Sequence, residues 1–264
     1  MRGPSTLIQA EDNWQTDMGA WFSGERVVFR GKDLFTELND FSWFKLLMLG
    51  ITGKEFDDNQ IKLFEAIWVL STSYPEPRIW NNRVSSLSAS AKSTGSLASS
   101  ASTAVSEAKI YGGQSIIAAI DFIQHAKKIE EDNGSLSRFI TEHLKKNRAI
   151  AGYGRPIIKN DERIEPLHKA AKALGFDQMP YIQLAFRIEQ MLIDSRYRLK
   201  MNIAGLVAAL ISDQKLTPRE HYYFTMLVFS AGSIPCFIDA VNKPEGSFFP
   251  LSCERLNYKG SKKR

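Results

Sequence analysis

The sequence has little that would hold a fold together covalently or through a metal. It contains two cysteines, Cys236 and Cys253, with no framework spacing. That excludes a disulfide-stapled scaffold; one bridge between them is conceivable, and two free thiols in a reducing compartment are expected. Four histidines, His125, His143, His168 and His221, are scattered without a ligand spacing to one another or to a cysteine, so no metal site is predicted. They are read as residues on the polar faces of helices and assigned no role. No run reaches the roughly 18 apolar residues that span a bilayer. The first thirty residues carry Glu11, Asp12 and Asp17 and no apolar block, so neither a transmembrane helix nor a secretory leader is expected, and the predicted compartment is the cytoplasm. A strong charge bias is missing too: 34 basic against 29 acidic side chains give a net charge of +5. Only the terminal Lys259, Lys262, Lys263 and Arg264 cluster together, which reads as a solubilising end rather than a nucleic-acid contact. Anionic small molecules, nucleotide-like cofactors among them, suit this charge.

What is present is an ordinary globular composition, 44% hydrophobic and 24% charged, long enough to bury one large core or two small ones. Residues 26–30 alternate and are β-branched, predicting one short strand closed by Gly31. From there on the pattern is helical. Asp33 is expected to cap a helix carrying Leu34, Phe35, Leu38, Phe41, Phe44, Leu47 and Met48. Asp58 opens another, whose Ile61, Phe64, Ile67, Trp68 and Leu70 are too crowded for one stripe and predict burial on most sides. Residues 85–108 are rich in serine and alanine, a composition that fits either a flexible linker or a tightly packed helix. Further helices are expected over 116–129, 135–147, from Asp161 to Gly175, and over 181–193 and 199–212. Thr217-Pro218-Arg219-Glu220 is a capping box with proline at the first helical position. The tail around Phe248-Phe249-Pro250 is aromatic and irregular. The fold class is all-α with at most a short N-terminal β element.

Three stretches, in this order, resemble the citrate synthase superfamily, especially its short citryl-CoA-lyase-like members. Tyr111-Gly112-Gly113 stands where the family has a His-Gly-Gly turn. Residues 152–163, Gly-Tyr-Gly-Arg-Pro-Ile-Ile-Lys-Asn-Asp-Glu-Arg, are similar to a Gly-x-Gly-His-x-x-x-Lys-x-Asp-Pro-Arg signature. Asn202-Ile203-Ala204-Gly205 stands where the family has Asn-Val-Asp and a small-residue helix. Ala231-Gly232 and Tyr258-Lys259-Gly260 are similar to its closing helix and tail. The resemblance implies a large helical domain from 1–112 and 214–264 with a small one, 113–213, inserted between. It also implies a homodimer and acyl-CoA as substrate, and it turns the serine-alanine run into a buried helix near the dimer interface.

The family's reaction is a Claisen-type condensation or its reverse: a carboxylate takes a proton from an acyl-CoA thioester, histidines stabilise the enolate, and arginines clamp the keto acid. This chain departs from that set. The base position is Ala204, the histidine positions are Arg155, Tyr111 and, with a gap, Tyr74, and two arginine positions are Phe229 and Phe249. Arg163 is kept. By the resemblance Tyr74, Tyr111, Arg155 and Asn202 are the candidate catalytic donors; Arg163, Phe229 and Phe249 bind substrate; Gly152, Gly154 and Lys159 contact coenzyme A. Each has a plain alternative: aromatic packing for the tyrosines, an ion pair for Arg155, a surface helix start for Lys159 and Arg163. Glu76 is a further candidate for the lost base. Either the chain acts on a substrate other than oxaloacetate, one less anionic, or it is a coenzyme A-binding or protein-interaction subunit that keeps the fold without chemistry.

Overall fold

A computed structural model describes residues 3–72, 75–109, 112–155, 160–248 and 252–260. The chain divides into two compact units, residues 1–62 and 63–264.

The first unit opens with α1 (Pro4–Ala10), which buries no residue. Three short antiparallel strands follow in the order β1 (Gly19–Phe22), β2 (Arg26–Phe29) and β3 (Lys32–Asp33). The strand predicted at 26–30 is β2, and Gly31 turns the chain beyond it at φ +80°. Asp33 does not cap a helix as expected. It ends β3, and its carboxylate accepts from the Phe35 and Thr36 N–H groups at 2.9 and 3.1 Å, closing a turn instead. Aspartate satisfies the same orphan donors in a turn as at a cap, so the sequence signal is shared. The helix α2 (Trp43–Thr52) begins later, with Ser42 Oγ accepting from Lys45 N–H, and buries Phe44, Met48 and Leu49. It stops at Gly53, whose left-handed φ of 68° lets its N–H reach Leu49 O.

The helix α3 (Asp58–Ser71) starts one residue after its cap: Asp57 and Gln60 exchange side chain-to-backbone hydrogen bonds at 2.9 and 3.0 Å. Leu63, Phe64 and Ile67 are fully buried and Val69 is exposed, so the expected crowding holds on most sides.

The second unit continues with α4 (Trp80–Ser90), α5 (Gly95–Val105), α6 (Gly113–Glu131), α7 (Leu136–Asn147), α8 (Ile164–Ala173), α9 (Pro180–Asp194), α10 (Ile203–Asp213), α11 (Pro218–Ser230) and α12 (Ser233–Val241). The core is α10, buried at every residue from Gly205 to Asp213 and packed on α6 and α9. Leu206, Leu210 and Ile211 are wholly excluded from water, worth about 1.5–3 kcal/mol each. α11 lies on α6 and α5, and α12 on α4. The Thr217–Glu220 capping box starts α11 as predicted, and the helix expected over 135–147 is α7, capped by Ser135.

The serine-alanine run is helical but forms two helices, broken at 91–94. In α4 its serines face α12: Ser85 Oγ donates to Ser233 O at 2.7 Å and Ser86 Oγ to Cys236 O at 3.2 Å, while Asn81 Nδ2, ahead of the run, donates to Phe229 O of α11 at 2.6 Å. A Cβ on Gly232 would lie 2.5 Å from Asn82 Oδ1, so the Asn82 amide packs directly on the glycine and would have to move for any larger residue. Lys92 closes this seam by donating to Val241 O and Lys243 O at the end of α12.

The stretch Pro218–Val241 is long and apolar enough to cross a bilayer by length and composition, although polar residues interrupt it. It is broken at Ala231–Gly232, and α12 lies on α4 along the polar seam.

Candidate functional site

Two glycine-built turns and the start of α10 form the centre of the predicted site. Gly152 has φ +89°, and its carbonyl accepts from Asn202 N–H at 2.9 Å. A Cβ at Gly152 would come within 2.8 Å of Gly205 Cα, and one at Gly205 within 2.3 Å of Gly152 O. The two backbones therefore touch, and neither glycine has a substitute. Tyr153 forms isolated bridges with Ile150 and Met201. Its ring is buried and its hydroxyl donates to Ala185 O at 3.0 Å, so burial pushes its ionisation far above the ordinary tyrosine range. Gly154, at φ +85°, donates to Lys200 O.

Asn202 is the cap of α10. Its Oδ1 accepts from Ala204 N–H at 3.0 Å and Gly205 N–H at 3.4 Å, while Nδ2 donates to Gly154 O at 2.8 Å. The amide thus ties the turn to the helix through both of its atoms.

Next to it lies Asp161, whose side chain is wholly buried. It accepts from Arg163 Nε at 2.8 Å, Arg163 Nη2 at 2.9 Å, Arg163 N–H at 3.2 Å and Ile203 N–H at 2.9 Å. Burial opposes its charge, yet the Arg163 fork and the Ile203 N–H at the start of α10 outweigh it and hold the carboxyl below the usual range. Arg155 stands 3.7 Å from the same carboxylate, donates to Glu162 at 2.7 Å and to Asn160 O at 3.1 Å. The ion-pair alternative for Arg155 is therefore what the structure holds, and Arg163 is committed to Asp161.

The structure brings together Gly152, Gly154, Arg155, Arg163 and Asn202. Tyr74, Tyr111, Lys159 and Phe249 lie outside the described residues. Phe229 sits elsewhere in the unit, on α11, lining a narrow cleft with Glu107, Gly113 and Tyr222. Glu76 is held by Arg78 at 2.8 and 2.9 Å.

Compared with solved structures, the chain superposes on citryl-CoA lyase from Hydrogenobacter thermophilus with a TM-score of 0.83, 20% identity, and 96% of both chains covered. The fold is that of citryl-CoA lyase and citrate synthase. ATP citrate lyase from Methanothrix soehngenii, solved with citrate and coenzyme A, matches at TM-score 0.76 and 17% identity, covering 99% of this chain and 45% of that one. Citrate synthase from Thermoplasma acidophilum, solved with carboxymethyl coenzyme A and oxaloacetate, matches at TM-score 0.63 and 16% identity over 85% of this chain and 58% of that one. No family model and no curated protein matches the sequence.

Within this fold the second residue of α10 is Ala204, whose methyl group takes no proton. Sequence reasoning missed three groups. Asp161 is visible in the Asp-x-Arg motif once its arginine is read as a partner rather than a substrate clamp. Glu107 follows the serine-alanine run with no motif around it. His221, read as polar-faced, is fully buried and both ring nitrogens lack a partner among the described residues; burial pushes it down to about 3. Its signal was the stripe His221, Phe224, Thr225, Val228, spaced three and four apart on the core face. Among the described residues no cluster suits a metal.

Proposed function

We propose that this chain is an acyl-CoA-dependent enzyme of carbon–carbon bond formation or cleavage, Claisen or retro-Claisen in type, acting on a substrate other than oxaloacetate. The observation that carries this reading is the fold shared with citryl-CoA lyase over nearly the whole of both chains. In this proposal 113–213 is a small domain inserted into a large one, two copies pair as a homodimer, and the protein works in the cytoplasm. Coenzyme A lies along 152–163, with Lys159 adding charge. Arg155 and Arg163 already share Asp161, and Phe229 occupies an arginine position, so a dicarboxylate would bring charge that no spare guanidinium in the motif meets. The second substrate is accordingly less anionic, with an apolar or monocarboxylate end. Titration calorimetry with coenzyme A, acetyl-CoA and longer acyl-CoAs tests the reading; no binding by the wild type refutes it.

One observation favours a second reading, a subunit that keeps the fold and does no chemistry. Arg155, Arg163 and Asn202 all spend their polar atoms on neighbours within the chain. That reading expects acyl-CoA binding without coenzyme A release across a screen of carbonyl partners.

A further inference from the structure

The chemistry proposed above needs a group that takes a proton from the carbon beside the thioester. Ala204 removes it from the start of α10, and the other carboxylates near the motifs are engaged. Asp161 is buried under four N–H donors. Glu162 is paired with Arg155 and Glu76 with Arg78. Glu107 differs: it is exposed, and its carboxylate accepts from a neutral hydroxyl, Tyr222 Oη, at 2.5 Å.

The glycine pair before α6 places it. Glu107 and Gly112 form an antiparallel bridge, and Gly113 N–H donates to Ser106 O at 2.8 Å. Gly112 adopts φ +103°, and a Cβ there would lie 1.9 Å from Ser106 O. A Cβ on Gly113 would sit 3.1 and 3.2 Å from the two Glu107 oxygens and 3.2 Å from the Tyr222 ring. The turn therefore folds the carboxylate against the start of α6; it requires glycine at 112, and a side chain at 113 would press on the carboxylate itself. Beside it runs the narrow cleft, walled by Gly113, Thr225, Met226 and Phe229. Its free space is about 10 Å³, room for one water-sized group, which suits a methyl group and not a dicarboxylate.

We propose that Glu107 is the proton-accepting carboxylate of this chain, with Tyr222 as its positioning residue. This rests on the acyl-CoA reading above. The α-carbon C–H bond breaks, the proton bonds to a Glu107 carboxylate oxygen, and the electron pair moves onto the thioester oxygen as an enolate. The positive N-terminal end of α6 stands at the same cleft and favours that charge. The apolar Met226 and Phe229 exclude competing anions.

Exchange of solvent deuterium into the α-position of acetyl-CoA or propionyl-CoA, followed by mass spectrometry, isolates this step from any second substrate. The wild type is expected to exchange. Glu107→Gln lowers the rate about 100-fold or more, with acyl-CoA affinity by calorimetry and the melting temperature little changed, and Glu107→Asp restores part of the rate. Tyr222→Phe, which removes only the hydroxyl that holds the carboxylate, lowers the exchange rate at saturating acyl-CoA by less than Glu107→Gln while acyl-CoA affinity and the melting temperature stay near the wild type's. Wild type that binds acyl-CoA without exchange, or Glu107→Gln exchanging at the wild-type rate, overturns the assignment and leaves the binding reading standing. Wild type that binds no acyl-CoA overturns both.

Discussion

Helix α10 has an aspartate at each end, and the two are buried alike but answered differently. Asp161 stands before the first turn and receives Ile203 N–H together with the Arg163 fork. Asp213 is the last residue of α10, and it reaches across to the start of α9, accepting from Tyr181 N–H at 2.9 Å and Ile182 N–H at 3.0 Å. Both cap a helix with charge. Among the described residues only Asp161 has an arginine on it. Its carboxyl is held below the ordinary range, whereas burial pushes Asp213 up to about 6. The two N–H groups and the more distant Lys127 only partly offset that burial. A helix N-terminus alone therefore does not make a buried carboxylate comfortable; a guanidinium fork does.

Removing that fork breaks the comparison and has the largest expected effect. Arg163→Ala leaves Asp161 buried, with the Arg155 guanidinium at 3.7 Å as its nearest cation among the described residues. Losing one partner of a buried pair costs about 3–5 kcal/mol, and the retained Arg155 places the loss near the lower bound. Urea unfolding at neutral pH reads it directly. The sign with pH follows from the lowered carboxyl: the stability Asp161 contributes is present above its unfolded value near 3.8 and is lost as pH falls through the lower folded one. A stability equal to the wild type's would mean the fork carries no load.

His221 sharpens the contrast, as a buried ionisable group with no polar answer. Its folded value of about 3 lies below the unfolded 6.5, so its contribution is complete above pH 6.5 and declines as pH falls toward 3. At 1.36 kcal/mol per unit the loss reaches about 2 kcal/mol by pH 5. His221→Leu removes the titration, so the stability difference between variant and wild type is expected to shift in the variant's favour by about that amount between pH 7 and pH 5. Parallel unfolding curves at the two pH values would show that His221 is protonated alike in both states.

What was legible in the sequence follows the same division. A helix start made of local chemistry was readable, as at Thr217, because the donors it satisfies lie within the next turn. So was strand β2, whose alternation needs no partner to be seen. Asp33 misled because an aspartate followed by free N–H groups reads alike in a turn and at a cap. The serine-alanine run was ambiguous because its hydroxyls have no purpose until Ser85 and Ser86 meet carbonyls of α12, about 150 residues on. Likewise, the motif at 152–163 pointed to Arg155 and Arg163 but not to Asp161 as the group that holds them. Glu107 was invisible for the same reason: Tyr222, 115 residues away, gives it its geometry.

The smallest effect expected concerns Asp213 itself. Its folded value is raised, so the sign is opposite to that of Asp161: stability is fully present below the unfolded 3.8 and is lost as pH rises through about 6. Between those limits the slope is about 1.4 kcal/mol per pH unit, running against the slope from His221 over the same range. In the wild type the two nearly cancel, and stability between pH 4 and 6 is flat with respect to this pair. Asp213→Asn keeps one acceptor for the start of α9 and drops the charge, so at pH 7 stability changes by no more than about 1 kcal/mol. Its consequence is the unmasked slope: the variant loses stability as pH falls from 6 to 4, while His221→Leu gains it. Urea midpoints for both variants across that range check the pair at once. If the Asp213→Asn curve stays parallel to the wild type's, the Asp213 carboxylate is ionised equally in the folded and unfolded chain, and the arginine is not what separates the two ends of α10.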